Sequence, residues 1–164
     1  RAGRIVKVHD AGSGTDWGYG VAVGLQLPSK QMPVHALHVL LLCDPASLVR
    51  KTGEGPVPRP ARKGGAVEGE VLPVALHLVT QISALRICIP QDLRPTDNKR
   101  SVVLQLQELV QRHPDGLPQL DPVEDMGITD EKLHEAARKV QELEEVLHKN
   151  PVYKLESSKQ EGDQ

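Results

Sequence analysis

Short apolar stretches alternate with turn-forming residues through the first 90 positions of the chain. Residues 4–8 and 16–23 are rich in valine and isoleucine, whose branched side chains suit a pleated sheet. Aspartate, glycine and serine fill residues 10–15 between them and favour a turn. Three further apolar runs follow, at residues 33–43, 70–79 and 82–90. Five short strands in so few residues predict a small, closed or nearly closed β-barrel.

The apolar spacing becomes helical in the second half of the chain. Residues 98–112 predict one helix, with Asp97 or Asn98 as its N-cap, and residues 130–148 predict a second, capped by Thr129. The second helix repeats apolar residues at intervals of three and four, which indicates a heptad seam that needs a partner, either the 98–112 helix or an upstream segment. The seam residues are Leu133, Ala136, Val140, Leu143 and Leu147.

This change of periodicity divides the chain. Residues 1–95 predict a barrel of the KOW type, because glycines inside its second strand mark the bends of a small barrel. Residues 96–150 predict a helix, a proline-rich connector and a returning stalk helix, and residues 151–164 a disordered tail. Closely spaced prolines bracketed by glycines at residues 45–66 predict a disordered insertion in the barrel. The fold class is therefore mainly β with α, a small KOW-type β-barrel followed by helical stalk segments.

Charge is distributed unevenly. Residues 1–95 hold eleven lysines and arginines against seven acids, whereas residues 96–164 hold nine against fifteen. The first half can therefore approach phosphates and the second repels them. Cys43 and Cys88 lie far apart in apolar runs, which predicts two buried thiols in a reducing compartment. The sequence has no apolar span long enough for a membrane helix, and its start at arginine predicts a piece of a longer protein.

Motifs for catalysis or metal binding are absent from the sequence. It contains no phosphate-binding loop, and Arg138 stands where a zinc-protease helix beginning at His134 needs its second ligand. His35 and His38 are an odd number of residues apart on a strand, so we expect them on opposite faces. We predict no catalytic residue, no metal site and no cofactor on this chain.

Two arginines are the best candidates for binding a peptide. Arg4 and Arg86 lie in the first and last predicted strands, which commonly become neighbours in a barrel. Two guanidiniums beside an apolar surface can clamp the carboxylate of a peptide or a backbone phosphate. The alternative is that both extend to solvent and pair with local acids. The apolar neighbours of the pair are Ile5, Val6, Leu85 and Ile87.

Aromatic and basic residues of the barrel predict contacts with RNA. Trp17 and Tyr19 have the same parity on one strand, so we expect them on one face, where they can stack on a base. The alternative for Trp17 is a place in the barrel core. The basic residues, several in a loop that needs no function, are Lys7, Arg50, Lys51, Arg59, Arg62 and Lys63.

Four motifs resemble a known family. They are GRIVKV at residues 3–8, DWGYGVAV at 16–23, LRICIPQDLRP at 85–95 and HPDGLPQLDPVEDMGI at 113–128. In this order they are similar to the arch region of the nuclear exosome DExH-box RNA helicases, the helicases of the TRAMP and NEXT assemblies. That family carries a KOW barrel at the tip of a two-helix stalk, so the resemblance implies that the heptad seam pairs with a preceding stalk helix.

The resemblance implies an adaptor- and RNA-binding module of an ATP-dependent 3'–5' RNA helicase. Such a helicase feeds RNA to the nuclear exosome for rRNA processing and RNA decay, in the nucleoplasm and nucleolus. The implied partners are adaptor proteins with short acidic-hydrophobic motifs, structured RNA and the exosome itself, with no membrane. ATP and magnesium are expected only in the helicase core outside this chain. By the match of motifs, Arg4 and Arg86 would contact an acidic residue of the adaptor.

Three positions depart from the family pattern. Cys88 replaces an aromatic residue, Gln91 replaces a basic one and Tyr19 replaces the second tryptophan of a WGWG motif. These changes affect base stacking and the basic patch. A stand-alone KOW-type RNA-binding module is therefore the alternative, and a small hydrolase is a more distant one that lacks any motif.

Overall fold

The computed structural model describes residues 2–31, 33–49, 53 and 55–149. The chain divides into two compact units, and the boundary in the sequence falls between Leu120 and Asp121. The first contains five strands and a helix: β1 (Arg4–Asp10), β2 (Thr15–Gln26), β3 (Ala36–Cys43), β4 (Glu68–Ala75), β5 (Val79–Arg86) and α1 (Thr96–Arg112). The second contains α2 (Glu131–Lys149). The predicted fold class, mainly β with α, is confirmed.

The five strands form one antiparallel sheet in the order β4-β3-β2-β1-β5. β4 and β5 lie at its two edges, although only the short 3-10 helix Leu76–Leu78 joins them. In a flat sheet these edges would be about 19 Å apart across four strand spacings. The four Cα steps from Ala75 to Val79 span at most about 15 Å. The sheet must therefore curl until its edges approach each other, as in a nearly closed barrel.

Both faces of the sheet are covered by apolar side chains. Ile5, Val21 and Leu40 face α1 and pack with its buried residues Val102 and Leu106. The opposite face carries a second cluster. Its buried residues are Val6, Val8, Ala22, Val39, Leu41, Cys43 and Val74. A strand with buried residues on both faces leaves few of its side chains for binding.

The segment after α1 covers the outer edge of β5. The amide of Ala84 donates to the carbonyl of Pro118 at 2.9 Å, and the amide of Leu120 donates to the carbonyl of Ile82 at 2.8 Å. The hydroxyl of Ser83 donates to Pro118 as well, at 2.8 Å. Edge strands need such protection, because free backbone groups invite pairing with other chains. This part of the connector therefore completes the sheet.

The insertion in the barrel differs from the disordered loop predicted at residues 45–66. A 3-10 helix, Pro45–Leu48, opens it, and the segment around Pro60 returns to the end of β3. The amide of Asp44 donates to Arg59 at 2.9 Å, and that of Ala61 donates to Leu42 at the same distance. A proline suits this edge position, because its missing N–H is not needed on the solvent side. Residues 50–52 and 54 and the predicted tail lie outside the described residues.

The helix caps also differ from those predicted. α1 begins after Pro95 without a side-chain cap, and Asn98 instead donates to the carbonyl of Asp92 at 2.7 Å. At α2 the carboxylate of Asp130, rather than the hydroxyl of Thr129, accepts the amide of Lys132 at 2.9 Å. A cap one residue later fits a helix that begins at Glu131.

α2 exposes its apolar face. The seam residues Leu133, Val140, Leu143 and Leu147 are between 44% and 64% exposed. The partner helix predicted for this seam therefore stays a prediction. Within the described ranges, neither helix has the length and apolar character needed to cross a membrane.

Candidate functional site

Arg4 and Arg86 lie directly opposite each other on β1 and β5. Arg4 Nη1 donates to the carbonyls of Ser83 at 3.2 Å and Ala84 at 2.9 Å. Arg86 Nη2 donates to the carbonyl of Ala2 at 3.2 Å. These bonds hold both guanidiniums against the β1–β5 pair, and each guanidinium has further N–H groups to donate. The predicted adjacency of the two arginines is thus present, and their role stays a prediction.

No acid among the described residues forms a salt bridge with either arginine. The five salt bridges of the described residues all use other cations. Arg86 is exposed and Arg4 is half-buried. Two like charges on neighbouring strands repel each other, and an incoming carboxylate would relieve that repulsion. The arrangement is therefore suited to an acidic ligand.

The apolar neighbours of the pair are less available than predicted. Ile5, Val6 and Ile87 are 0%, 2% and 6% exposed, and Leu85 is half-buried against the α1 side of the core. The prediction that these residues form an open surface beside the arginines is not supported, because both faces of the sheet are covered. The exposed apolar side chain on β5 is Ile82, at 46%.

A β-bulge separates the two aromatic residues of β2. Successive residues of β1 pair with Gly18 and Asp16, which leaves Trp17 without a partner. Gly18 has a φ of 67°, a left-handed conformation that glycine adopts readily. Trp17 consequently packs against the second cluster and Tyr19 against the cluster that includes α1. The prediction that they share a face is wrong, because the extra residue breaks the alternation.

Tyr19 is fixed from several directions. Its hydroxyl accepts the amide of Leu117 at 3.3 Å, and Lys7 Nζ lies 5.7 Å from the centroid of its ring. An ammonium at that distance is attracted to the electron-rich face of the ring. Lys7 thus covers one face of the Tyr19 ring, and Tyr19 is held in a fixed position.

Several predicted RNA-binding residues line a groove of about 650 Å³. Its walls are the start of β2, the loop 60–67 and the last turns of α1. It brings together Trp17, Tyr19, Arg62 and Lys63. Arg59 lines a separate cavity of about 290 Å³, which Arg62 also borders. Arg50 and Lys51 lie outside the described residues.

Sequence reasoning missed the contribution of α1 to this groove. Gln107 and Gln111 line it, and neither side chain hydrogen-bonds to another described residue. Their spacing of four places them on one side of the helix. That spacing was visible in the sequence, but only the fold shows which side faces the groove.

The two cysteines differ from each other. Cys43 is buried as predicted, and burial raises the pKa of its thiol to about 11. Cys88 is exposed, contrary to the prediction, because it follows the buried Ile87 and points the other way. Within the described part of the chain, no three histidine, cysteine or acidic side chains converge as metal ligands.

Comparison with known proteins places this fold in a family. The model of the Mtr4-like β-barrel domain matches residues 1–163. The chain is 40% identical over 159 residues to the exosome RNA helicase MTR4 of Homo sapiens, and the match covers 92% of the chain and 15% of that protein. It is 37% identical over 166 residues to the DExH-box ATP-dependent RNA helicase DExH10 of Arabidopsis thaliana, covering 96% of the chain and 16% of the relative. The chain thus spans about one sixth of these relatives, and it belongs to the family of Mtr4-like β-barrel domains.

Proposed function

We propose that this chain is the module through which an RNA helicase that acts with the exosome collects adaptor proteins and RNA. The observation that carries the proposal is the Arg4–Arg86 pair, two adjacent guanidiniums with no acidic partner among the described residues. The family membership supports the helicase context, because the human and plant relatives are named as RNA helicases.

The adaptor would be a short segment with an acidic residue beside apolar ones. Its carboxylate would lie between Arg4 and Arg86, where charge-assisted hydrogen bonds are stronger than neutral ones. Its apolar residues would lie toward Ile82, which is 46% exposed on the same strand as Arg86. An extended peptide cannot simply add to the outer edge of β5, since Pro118 and Leu120 already bond there.

Calorimetric titration with an acidic-apolar peptide tests this role. Arg86→Glu should weaken binding by more than about tenfold, because it replaces attraction of the carboxylate with repulsion. A peptide with glutamine in place of its acid should bind the unaltered chain as weakly. Arg100→Glu is the matched control, because Arg100 is an exposed arginine of α1. Equal binding of the peptide by Arg86→Glu and the unaltered chain would exclude the arginine pair as its binding site.

RNA is a second candidate ligand, favoured by the groove beside Trp17. Arg62 and Lys63 border it and form no salt bridge with a described acid. Structured RNA would bind mainly through phosphates, so its affinity would fall steeply with salt. Replacing Arg62 and Lys63 by glutamine should reduce the slope of log K against log salt by about one to two. An unchanged slope would place the phosphate contacts elsewhere.

The wider role would be delivery of RNA to the exosome for rRNA processing and RNA decay, in the nucleoplasm and nucleolus. ATP and magnesium would act in the helicase core outside this chain. The alternative, a stand-alone KOW-type RNA-binding module, predicts RNA binding without any affinity for acidic-apolar peptides. The two peptide titrations and the salt series therefore distinguish the adaptor- and RNA-binding module from the stand-alone RNA-binding module.

A further inference from the structure

The groove beside Trp17 combines an apolar floor with unpaired polar side chains. Leu42, Val67, Leu106 and Val110 provide the apolar lining, between the start of β2 and α1. A volume of about 650 Å³ is within the range of small-ligand sites. Such a groove can receive a flat ring, whereas phosphate binding alone needs only surface charge.

Trp17 is the aromatic residue available for stacking in this groove. Trp17 packs against the second cluster but also lines the groove, and its side chain is only partly buried. Tyr19 is less suitable, because Lys7 and the amide of Leu117 already engage its ring and hydroxyl. A base stacked on an aromatic ring contributes at least as much binding energy as a typical hydrogen bond.

Gln107 and Gln111 provide groups that match the edge of a nucleobase. Each primary amide carries a donor and an acceptor, and amides of this kind pair with base edges. Neither amide is used by another described residue, although both line the groove. A helix surface with two free amides facing an apolar floor distinguishes base binding from simple attraction to phosphate.

Charges at the groove favour a nucleotide over an acidic peptide. Arg62 and Lys63 are free cations there, suited to one or two phosphates. Asp16 is the one acidic side chain of the lining, and its carboxylate already accepts the amide of Gly18 at 2.9 Å. The carboxylates of a peptide could pair with these cations. Its acidic side chains would not offer the amides of Gln107 and Gln111 the planar edge of donors and acceptors that a base has.

We propose that this groove binds an unpaired base of RNA, stacked on Trp17, with its edge bonded to Gln107 and Gln111 and its phosphate to Arg62 and Lys63. The inference rests on the RNA-binding role proposed above and adds recognition of single-stranded bases. Unpaired bases expose the edges that side chains can read, whereas the deep major groove of an RNA duplex hides them.

The single tryptophan of the chain makes the site directly observable. Titration of the full chain with five-nucleotide homopolymers of adenosine, cytidine, guanosine and uridine should quench its fluorescence. An abasic ribose-phosphate oligomer of equal length should bind on the order of tenfold more weakly and leave the emission unchanged. Equal binding of the abasic oligomer, or an unchanged emission with all four homopolymers, would overturn base recognition.

Variants separate the base from the phosphate contacts. Gln107→Ala and Gln111→Ala should change the order of affinity among the four homopolymers, as measured by anisotropy of labelled RNA. Gln105→Ala is the matched control, because Gln105 is an exposed glutamine of α1 that does not line the groove. Gln111 is exposed and Gln107 is half-buried, so thermal melting of both variants checks that they fold. An unchanged order in both would contradict the inference.

Failure of this inference is distinct from failure of RNA binding in general. If structured RNA binds with a steep salt dependence but the homopolymers and the abasic oligomer bind alike, RNA binding stands and base recognition is wrong. If no RNA binds, both are wrong. Quenching of Trp17 by an acidic-apolar peptide and not by homopolymers would assign the groove to protein and overturn the inference.

Discussion

Arg4 and Arg86 face each other across the β1–β5 pair, yet the fold uses them differently. Arg4 Nη1 bonds to two carbonyls of β5, whereas Arg86 bonds to one carbonyl beside β1. Arg4→Ala should therefore lower the free energy of unfolding by about 1 kcal/mol, and Arg86→Ala by less than half of that. Urea unfolding of both variants measures this difference. Equal losses would mean that the bonds of Arg4 add nothing to stability.

Gly20 leaves no room for a side chain. A Cβ there would lie 2.6 Å from Val39 Cγ1 and 2.8 Å from the carbonyl oxygen of Leu40. We expect Gly20→Ala to lower the free energy of unfolding by about 1–3 kcal/mol, because the backbone atom cannot move without disturbing the β2–β3 pair. Gly24→Ala in the same strand is the control, since nothing lies within 4 Å of its Cβ. Similar melting temperatures for the two variants would contradict the packing described.

Lys99 and Glu70 form the salt bridge that ties α1 to β4. Their charged atoms are 2.8 Å apart, and the Lys99 side chain is only 17% exposed. Glu70→Gln should lower the free energy of unfolding by about 1 kcal/mol, whereas Glu108→Gln, which breaks an exposed bridge within α1, should change it by less than about 0.5 kcal/mol. Chemical denaturation of both variants provides the comparison. A larger loss of unfolding free energy from Glu108→Gln would contradict the greater contribution expected of the Lys99–Glu70 bridge.

The buried thiol of Cys43 links folding to alkaline pH. Burial raises the pKa of this thiol from 9.0 to about 11, so the folded state holds the proton more tightly than the unfolded state. Its contribution to stability is complete below pH 9 and is lost as the pH rises toward 11. Unfolding free energies measured between pH 8 and 11 should fall more steeply for the unaltered chain than for Cys43→Ala. Parallel curves would exclude this thiol as the cause.

Cys88 and Cys43 should react with thiol reagents at very different rates. Cys88 is exposed and Cys43 is 0% exposed, so a maleimide should label one thiol of the folded chain and two in denaturant. Cys88→Ser should abolish labelling of the folded chain, as mass spectrometry would show. Rapid labelling of Cys43 under native conditions would indicate that β3 opens readily.

Much of the fold could be predicted from apolar spacing. The five strands and both helices overlap the predicted segments, although β5 begins three residues earlier and ends four residues earlier than predicted. Arg4 and Arg86 are neighbours because the first and last strands pair. The spacing could not reveal the bulge at Trp17, since one extra residue changes every later face assignment without changing the composition.

The site was harder to predict than the fold. Ile5, Val6 and Ile87 were expected at the surface, but α1 and the curled sheet bury them from opposite faces. Which helix covers which face depends on tertiary packing, and so does the role of Gln107 and Gln111. The alternation of a strand identifies its two faces but not what each one contacts.

The pairing of β1 with β5 joins residues that lie far apart in the sequence, from Val8 with Val79 to Arg4 with Arg86, and the two arginines come together only through it. Local hairpins such as β1–β2 need only a short loop and can form early, whereas β5 must return across the whole barrel. A newly synthesised or partly unfolded chain therefore has two separate arginines rather than a clamp. Capture of an acidic ligand by this pair would then report that the barrel has closed, so that an unfinished molecule recruits no partner.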